Sequence, residues 1–224
     1  MSKNANNIYL ILVGVFITSL IVSNLIFQKF FQLNIIGFNF SLSVGIIFYP
    51  ITFLVTDLVS EIFGKKHADQ MVISGVFASI FCLLVVLLAD YIPASNQSPV
   101  SNELFHSVFG NTIIAVGASM TTYLCAQFVD IRIYHFWKKL TKGKHLWLRN
   151  NGSTIFSQFI DTFIIFTLLC SGGVIPWEDF QKYFISGFIF KILIALVDTP
   201  VIYICVFVLR RKFNLKAGEE LKWK

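Results

Sequence analysis

The sequence predicts an all-α integral membrane protein with six transmembrane helices and both termini in the cytosol. Three observations carry that reading: a large apolar excess, six apolar runs of spanning length, and basic residues gathered on one side. Of the 224 residues, 56% are hydrophobic and 13% charged, and the mean hydropathy is +0.73. Soluble domains carry about 25% charged residues. The runs are roughly Ile8–Phe27, Phe40–Phe63, Gln70–Ile92, Asn111–Trp137, Ser153–Gly172 and Tyr183–Leu209. Each reaches about 30 Å or more as a helix, enough to cross the hydrocarbon. Spanning β-strands would alternate over about ten residues, and the runs do not. Residues 1–224 read as a single domain.

Basic residues set the orientation. Lys3, the turn after run 2 (Lys65, Lys66), the segment between runs 4 and 5 (Arg132, Lys138, Lys139, Lys142, Lys144, Arg149) and the tail (Arg210, Arg211, Lys212, Lys216, Lys222, Lys224) hold all but three of the 18 Lys and Arg. The opposite loops hold Lys29 and Lys182, together with Asp90, Glu103, Glu178 and Asp179. Short loops rich in Lys and Arg stay in the cytosol, which puts both termini there. Trp137 and Trp147 flank the basic side, and Trp177 and Tyr183 the other, as interfacial aromatic belts do. Run 1 is too long for a cleaved signal peptide and no A-x-A site follows it.

Run 1 carries one expensive polar group, Asn24, expected to tie helices together. Run 2 contains Pro50, expected to kink the span and free carbonyls near Ile46 and Ile47. Thr52 and Thr56 follow, and then Asp57, Glu61 and Lys65 at a spacing that puts all three on one helix stripe. On that helix Asp57 lies about 12 Å inward of Lys65, where a charge costs at least about 2.5–3.5 kcal/mol. Run 3 is nearly all aliphatic apart from Ser74 and Ser79, as a lipid-facing helix is. The following loop, with Pro93, Pro99 and several Ser and Asn, is polar and external.

The last three runs each bring a carboxylate inward. Asp130 precedes Lys138 by about 12 Å, Asp161 follows Arg149 by about 18 Å, and Asp198 precedes Arg210 by about 18 Å. The local sequences AQFVD, SQFID and ALVDTP echo one another, as internal repeats around transporter sites do. Asn151, Thr154, Gln158 and Asp161 form one polar stripe from the basic edge to mid-membrane. Lys191 shares a face with Asp198 about 10 Å away, so it is expected to neutralise that carboxylate. Pro200 is expected to kink the last helix just past Asp198. A structural ion-pair network explains one or two such residues. Four carboxylates, a lysine and a polar stripe point instead to a solvated or ligand-filled cavity, since intramembrane ionisable groups mark substrate paths or proton relays. Cys82, Cys125, Cys170 and Cys205 are isolated in apolar runs and suggest neither metal nor redox chemistry.

The stretches YPITFLVTDLVSEIFGKK, RNNGSTIFSQFIDT and KILIALVDTP resemble the queuosine precursor transporter family, also called the vitamin uptake transporter family. The resemblance covers nearly the whole chain. It implies uptake of 7-deazaguanine compounds across a bacterial inner membrane: 7-cyano-7-deazaguanine, 7-aminomethyl-7-deazaguanine and, in some members, queuine, all precursors of queuosine in tRNA. The chemistry of the residues fits. One carboxylate can accept both N1–H and N2–H2 of a deazaguanine, a charge-assisted pair, while Gln158, Asn151 or Lys191 addresses its carbonyl. Phe side chains would stack on the ring.

On this reading Asp161, aided by Gln158, holds the guanine-like edge, with Asp198 its nearest competitor and Asn151, Thr154 and Lys191 around it. Asp57, Glu61, Lys65, Asp130, Pro50 and Pro200 serve gating or coupling. The implied partners are a small-molecule 7-deazapurine, the lipid bilayer and, where copies associate, a homo-oligomer. No cofactor, metal, catalysis or direct nucleic-acid contact is expected. Two rival classes remain in view. A six-span intramembrane hydrolase would draw on Ser153 and on His67, His106, His135 and His145, but there is no G-x-S-x-G elbow. A substrate-capture subunit would borrow a partner's ATPase, since the chain has no G-x-x-x-x-G-K-[ST] loop.

Overall fold

Hydrocarbon offers a backbone no hydrogen-bond partners, so apolar runs of this length fold as helices that satisfy themselves. The computed structural model describes residues 3–26, 29–35, 38–110, 112–172 and 176–221. Among these the order is α1 (Lys3–Ile26), a hairpin of β1 (Phe30–Ile35) and β2 (Phe38–Ser43), then α2 (Tyr49–Ile62) and α3 (Lys65–Tyr91). A short α4 (Asn102–Phe105), α5 (Thr112–Leu140), α6 (Leu146–Ser171) and α7 (Phe180–Phe213) follow. Five segments are long and apolar enough to cross a membrane: Asn4–Ile26, Val44–Ile62, Lys65–Tyr91, Leu146–Ser171 and Trp177–Phe213. α5 adds a further helix of 29 residues. The protein is a helical, multi-pass membrane protein.

Phe16 and Leu20 of α1, Phe53, Val59 and Ile62 of α2, Met71 of α3 and Tyr123 of α5 meet in the main core. Gly75 lets α1 and α3 approach closely, since a Cβ there would stand 2.6 Å from the Phe16 ring. Asn24 does tie helices together: it accepts from Ser119 of α5 at 3.0 Å. α6 packs between α5 and α7, and α2 lies against both α5 and α7. That arrangement brings the polar faces of α2, α5, α6 and α7 together.

Several boundaries differ from expectation. The predicted second span began at Phe40, yet Phe30–Ser43 forms an antiparallel hairpin with Phe31 opposite Leu42 and Leu33 opposite Phe40. Its Phe40 and Leu42 pack on Phe190 of α7. Pro50 does not kink a span. A 3-10 turn over Val44–Ile47 precedes α2, and Pro50 stands in the first turn of that helix, where a missing N–H is harmless. Lys65 does not continue the Asp57–Glu61 stripe. Gly64, at φ +85°, ends α2, and Lys65 opens α3, where it pairs with Asp69 at 3.9 Å. Pro200 lies inside α7 on an exposed face, and the helix continues to Phe213. Phe27 and Asn111, which bound two predicted spans, and the tail lysines Lys222 and Lys224 lie outside the described residues.

Candidate functional site

A narrow cleft opens between the start of α2, the middle of α6 and the middle of α7. Its apolar wall is Tyr49, Phe53 and Phe190, with Ile46, Ile194 and Ala195. Its polar groups are Thr154 and Gln158 from α6 and Lys191 and Asp198 from α7. The residues converge because of helix periodicity. Thr154 and Gln158 are one turn apart, and Lys191, Ile194 and Asp198 fall on one side of α7.

Two polar groups in this cleft present acceptor oxygens that no donor among the described residues reaches. Asp198 is half-buried and makes no hydrogen bond or ion pair among the described residues. Gln158 is buried, and its Oε1 reaches no donor. A carboxylate and an amide oxygen left without donors beside an aromatic wall form an acceptor edge suited to a flat N–H donor.

Asp161 is engaged. Its Oδ1 accepts from the Tyr49 hydroxyl at 2.8 Å, and its Oδ2 takes an ion pair from Lys191. The ammonium also donates to Thr162 Oγ1 at 3.2 Å and sits 5.4 Å from the centre of the Tyr49 ring. Lys191 therefore neutralises Asp161, not Asp198 as its spacing on α7 suggested. Seven residues along one helix is about 10 Å, whereas packing of α6 on α7 sets Asp161 at the same level as Lys191.

Deeper between α2, α5 and α6 lies a second carboxyl group pair. Asp57 and Asp130 are 1% and 0% exposed, and their carboxyl groups stand within hydrogen-bonding reach of one another. Ser157 donates to Asp130 Oδ1 at 2.9 Å. Neither Asp57 Oδ1 nor Asp130 Oδ2 reaches a donor.

One turn beyond Asp57, Glu61 gathers a charge cluster at the basic end. Arg149 Nη2 donates to its Oε1 at 2.5 Å, Arg210 pairs with the same oxygen, and Tyr134 donates to Oε2 at 3.0 Å. Lys138 stands 3.6 Å from Glu61 and 2.9 Å from Glu220 of the tail. Arg149 and Glu61 are both fully buried. A lone charge there would be prohibitive, and the surrounding partners are what make it tenable.

Of the residues singled out in the sequence, Gln158, Thr154, Asp198, Lys191 and Pro50 line the cleft. Asp161 stands just behind it through Lys191 and Tyr49. Asn151 faces α7 instead, donating to Thr199 Oγ1 at 2.8 Å. Ser153 donates to the Asn150 carbonyl at 3.2 Å, with no histidine bonded to it among the described residues. Sequence reasoning missed Tyr49, Phe53 and Phe190, which no spacing distinguishes from the other aromatic residues. It also counted Arg149 and Lys138 as loop cations, although the helices bury them.

A protein-family model described as "Putative vitamin uptake transporter" matches residues 43–205. The chain belongs to the vitamin uptake transporter family. The matched stretch of this vitamin uptake transporter contains every residue lining the cleft, the Asp57–Asp130 pair, and Glu61 with Arg149. The chain is 28% identical over 167 residues to a "Probable queuosine precursor transporter" of Bacillus subtilis (strain 168), covering 74% of this chain and 72% of the relative. It is 27% identical over 172 residues to the "Queuosine precursor transporter" of Escherichia coli (strain K12), covering 74% and 73%. A "Probable queuosine precursor transporter" of Haemophilus influenzae (strain ATCC 51907 / DSM 11121 / KW20 / Rd) is 25% identical over 189 residues, covering 82% and 77%. No solved structure gives a significant match.

Proposed function

We propose that this protein imports queuosine precursors across a bacterial inner membrane and binds them in the cleft between α2, α6 and α7. The single observation that carries the reading is the Asp198 carboxylate, without a partner among the described residues, in an aromatic-walled cleft that also holds Gln158. Family membership and the names of the relatives support the substrate class. A 7-deazaguanine presents N1–H and N2–H2 side by side. Asp198 and the open Gln158 Oε1 accept these donors, Lys191 addresses the ring carbonyl, and Tyr49, Phe53 or Phe190 covers the ring face. Asp161 shifts from the substrate acceptor expected in the sequence to the group that fixes Lys191 and Tyr49.

Six helices cross the membrane on this reading, with α5 as the fourth crossing. The basic end, where Lys138, Arg149 and Arg210 meet Glu61, faces the cytosol, and both termini lie there. The Glu61 cluster closes the path at that end and takes the gating role that the stripe through Lys65 suggested.

Purified protein in liposomes tests the reading. Uptake of labelled 7-cyano-7-deazaguanine by this chain alone, competed by 7-aminomethyl-7-deazaguanine but not by adenine, is expected. Uptake only after addition of an ATPase partner would favour a substrate-capture subunit instead.

A further inference from the structure

Asp57 and Asp130 are used by nothing in the cleft, yet they are among the most deeply buried polar groups in the molecule. Carboxylates only accept hydrogen bonds, so two of them in contact leave oxygens unsatisfied unless one carries a proton. Asp57 Oδ1 and Asp130 Oδ2 are both in that position: sealed from solvent and without a donor. While sealed from water, two carboxyl groups this close do not both stay ionised, because like charges at contact distance repel strongly in a low-dielectric interior. A proton shared by the pair would satisfy these oxygens.

The surroundings connect the pair in two directions. Toward the cleft, the Ser157 hydroxyl lies 2.9 Å from Asp130 Oδ1 and 3.0 Å from the Thr154 carbonyl, its one O–H serving either acceptor, and the Thr154 side chain lines the cleft. Toward the basic end, Glu61 follows Asp57 by one turn of α2 and leads through Arg149 and Lys138 to Glu220, whose side chain is 41% exposed. The charged and titratable groups around the pair are Glu61 on α2, Tyr123 and Tyr134 on α5, and Asp161 and Arg149 on α6. Arg210 of α7 and Lys138 act at one remove, through Glu61. Arg149 is the cation on the side away from the cleft, so it favours the deprotonated pair once the path toward the basic end opens.

We propose that the Asp57–Asp130 pair is the proton-binding site of a proton-coupled transporter, loaded from the cleft side together with substrate and discharged at the basic end. This inference rests on the transport reading above. One proton forms an O–H bond on the pair as substrate occupies the cleft. That bond breaks when the basic end opens, and the proton passes to water there. The emptied pair, two carboxylates side by side, reloads as the protein returns.

Liposomes holding the full-length protein, with the membrane potential clamped, provide the test. An inward gradient of two pH units should drive accumulation of labelled 7-cyano-7-deazaguanine to as much as about a hundredfold for one proton per substrate. A protonophore should abolish that accumulation, and a trapped pH dye should report lumenal acidification when substrate is added outside. Asp130→Asn and Asp57→Asn should lose gradient-driven accumulation while still exchanging external for internal substrate. The dye signal from wild-type protein needs no variant, so a misfolded variant does not blunt the test. Wild-type exchange with no response to the pH gradient, or accumulation driven by sodium alone, would overturn the proton assignment and leave transport standing. Absence of exchange in wild-type protein would overturn the transport reading and the proton assignment with it.

Discussion

Lys191 and Asp161 form their ion pair where the two side chains are only 12% and 7% exposed. Removing one member strands the other, at about 3–5 kcal/mol for a buried pair. Lys191→Met should therefore lower the thermal midpoint in detergent markedly, and adding Asp161→Asn should restore part of the loss. A Lys191→Met protein as stable as wild type would show that the pair does not hold α6 to α7. The sequence made the four inward carboxylates legible, because charged residues in apolar runs stand out by composition. It could not assign their partners. Lys191 lies nearer in sequence to Asp198, while contact with Asp161 depends on how two helices pack, and no spacing along one helix records that. Asn151 likewise belongs to the polar stripe by periodicity, yet the neighbouring Thr199 claims it.

At the scale of elements, the break between α2 and α3 depends on Gly64. Its backbone, at φ +85° and ψ 170°, lies in a region essentially reserved for glycine. A Cβ there would also collide with the Glu220 carboxyl group. The tail leans on the same corner, since Leu221 donates its N–H to the Ile62 carbonyl at 2.8 Å. Gly64→Ala should cost about 1–3 kcal/mol and release the tail to limited proteolysis. Gly14→Ala, with nothing within 4 Å of the new Cβ, should do neither. Equal protection of the tail in both variants would refute this account of the corner. Helix existence was legible throughout, because long apolar runs leave few alternatives. The hairpin was not read, although Phe31, Leu33 and Ile35 alternate with polar or small neighbours, as do Phe38, Phe40 and Leu42 beyond Gly37. Its apolar content merged with the run that follows, and hydropathy over a long window averages a period of two away.

The whole molecule places its charged cluster at one end, the hairpin near the other, and the cleft between. If the basic end is cytosolic, a cysteine at position 145 in a background without the four native cysteines should react only from the cytosolic side. Labelling from outside would invert the direction of transport argued here. The cleft itself carries the central claim, that a 7-deazaguanine is held by Asp198. The most direct measurement is an equilibrium titration of 7-cyano-7-deazaguanine into purified wild-type and Asp198→Asn proteins. The substitution turns one of two acceptors into a donor that opposes a substrate N–H, and such a mismatch costs about 1–3 kcal/mol or more. Affinity should fall at least roughly tenfold with the thermal midpoint unchanged, because Asp198 has no partner to lose among the described residues. Wild-type affinity in Asp198→Asn would contradict the assignment.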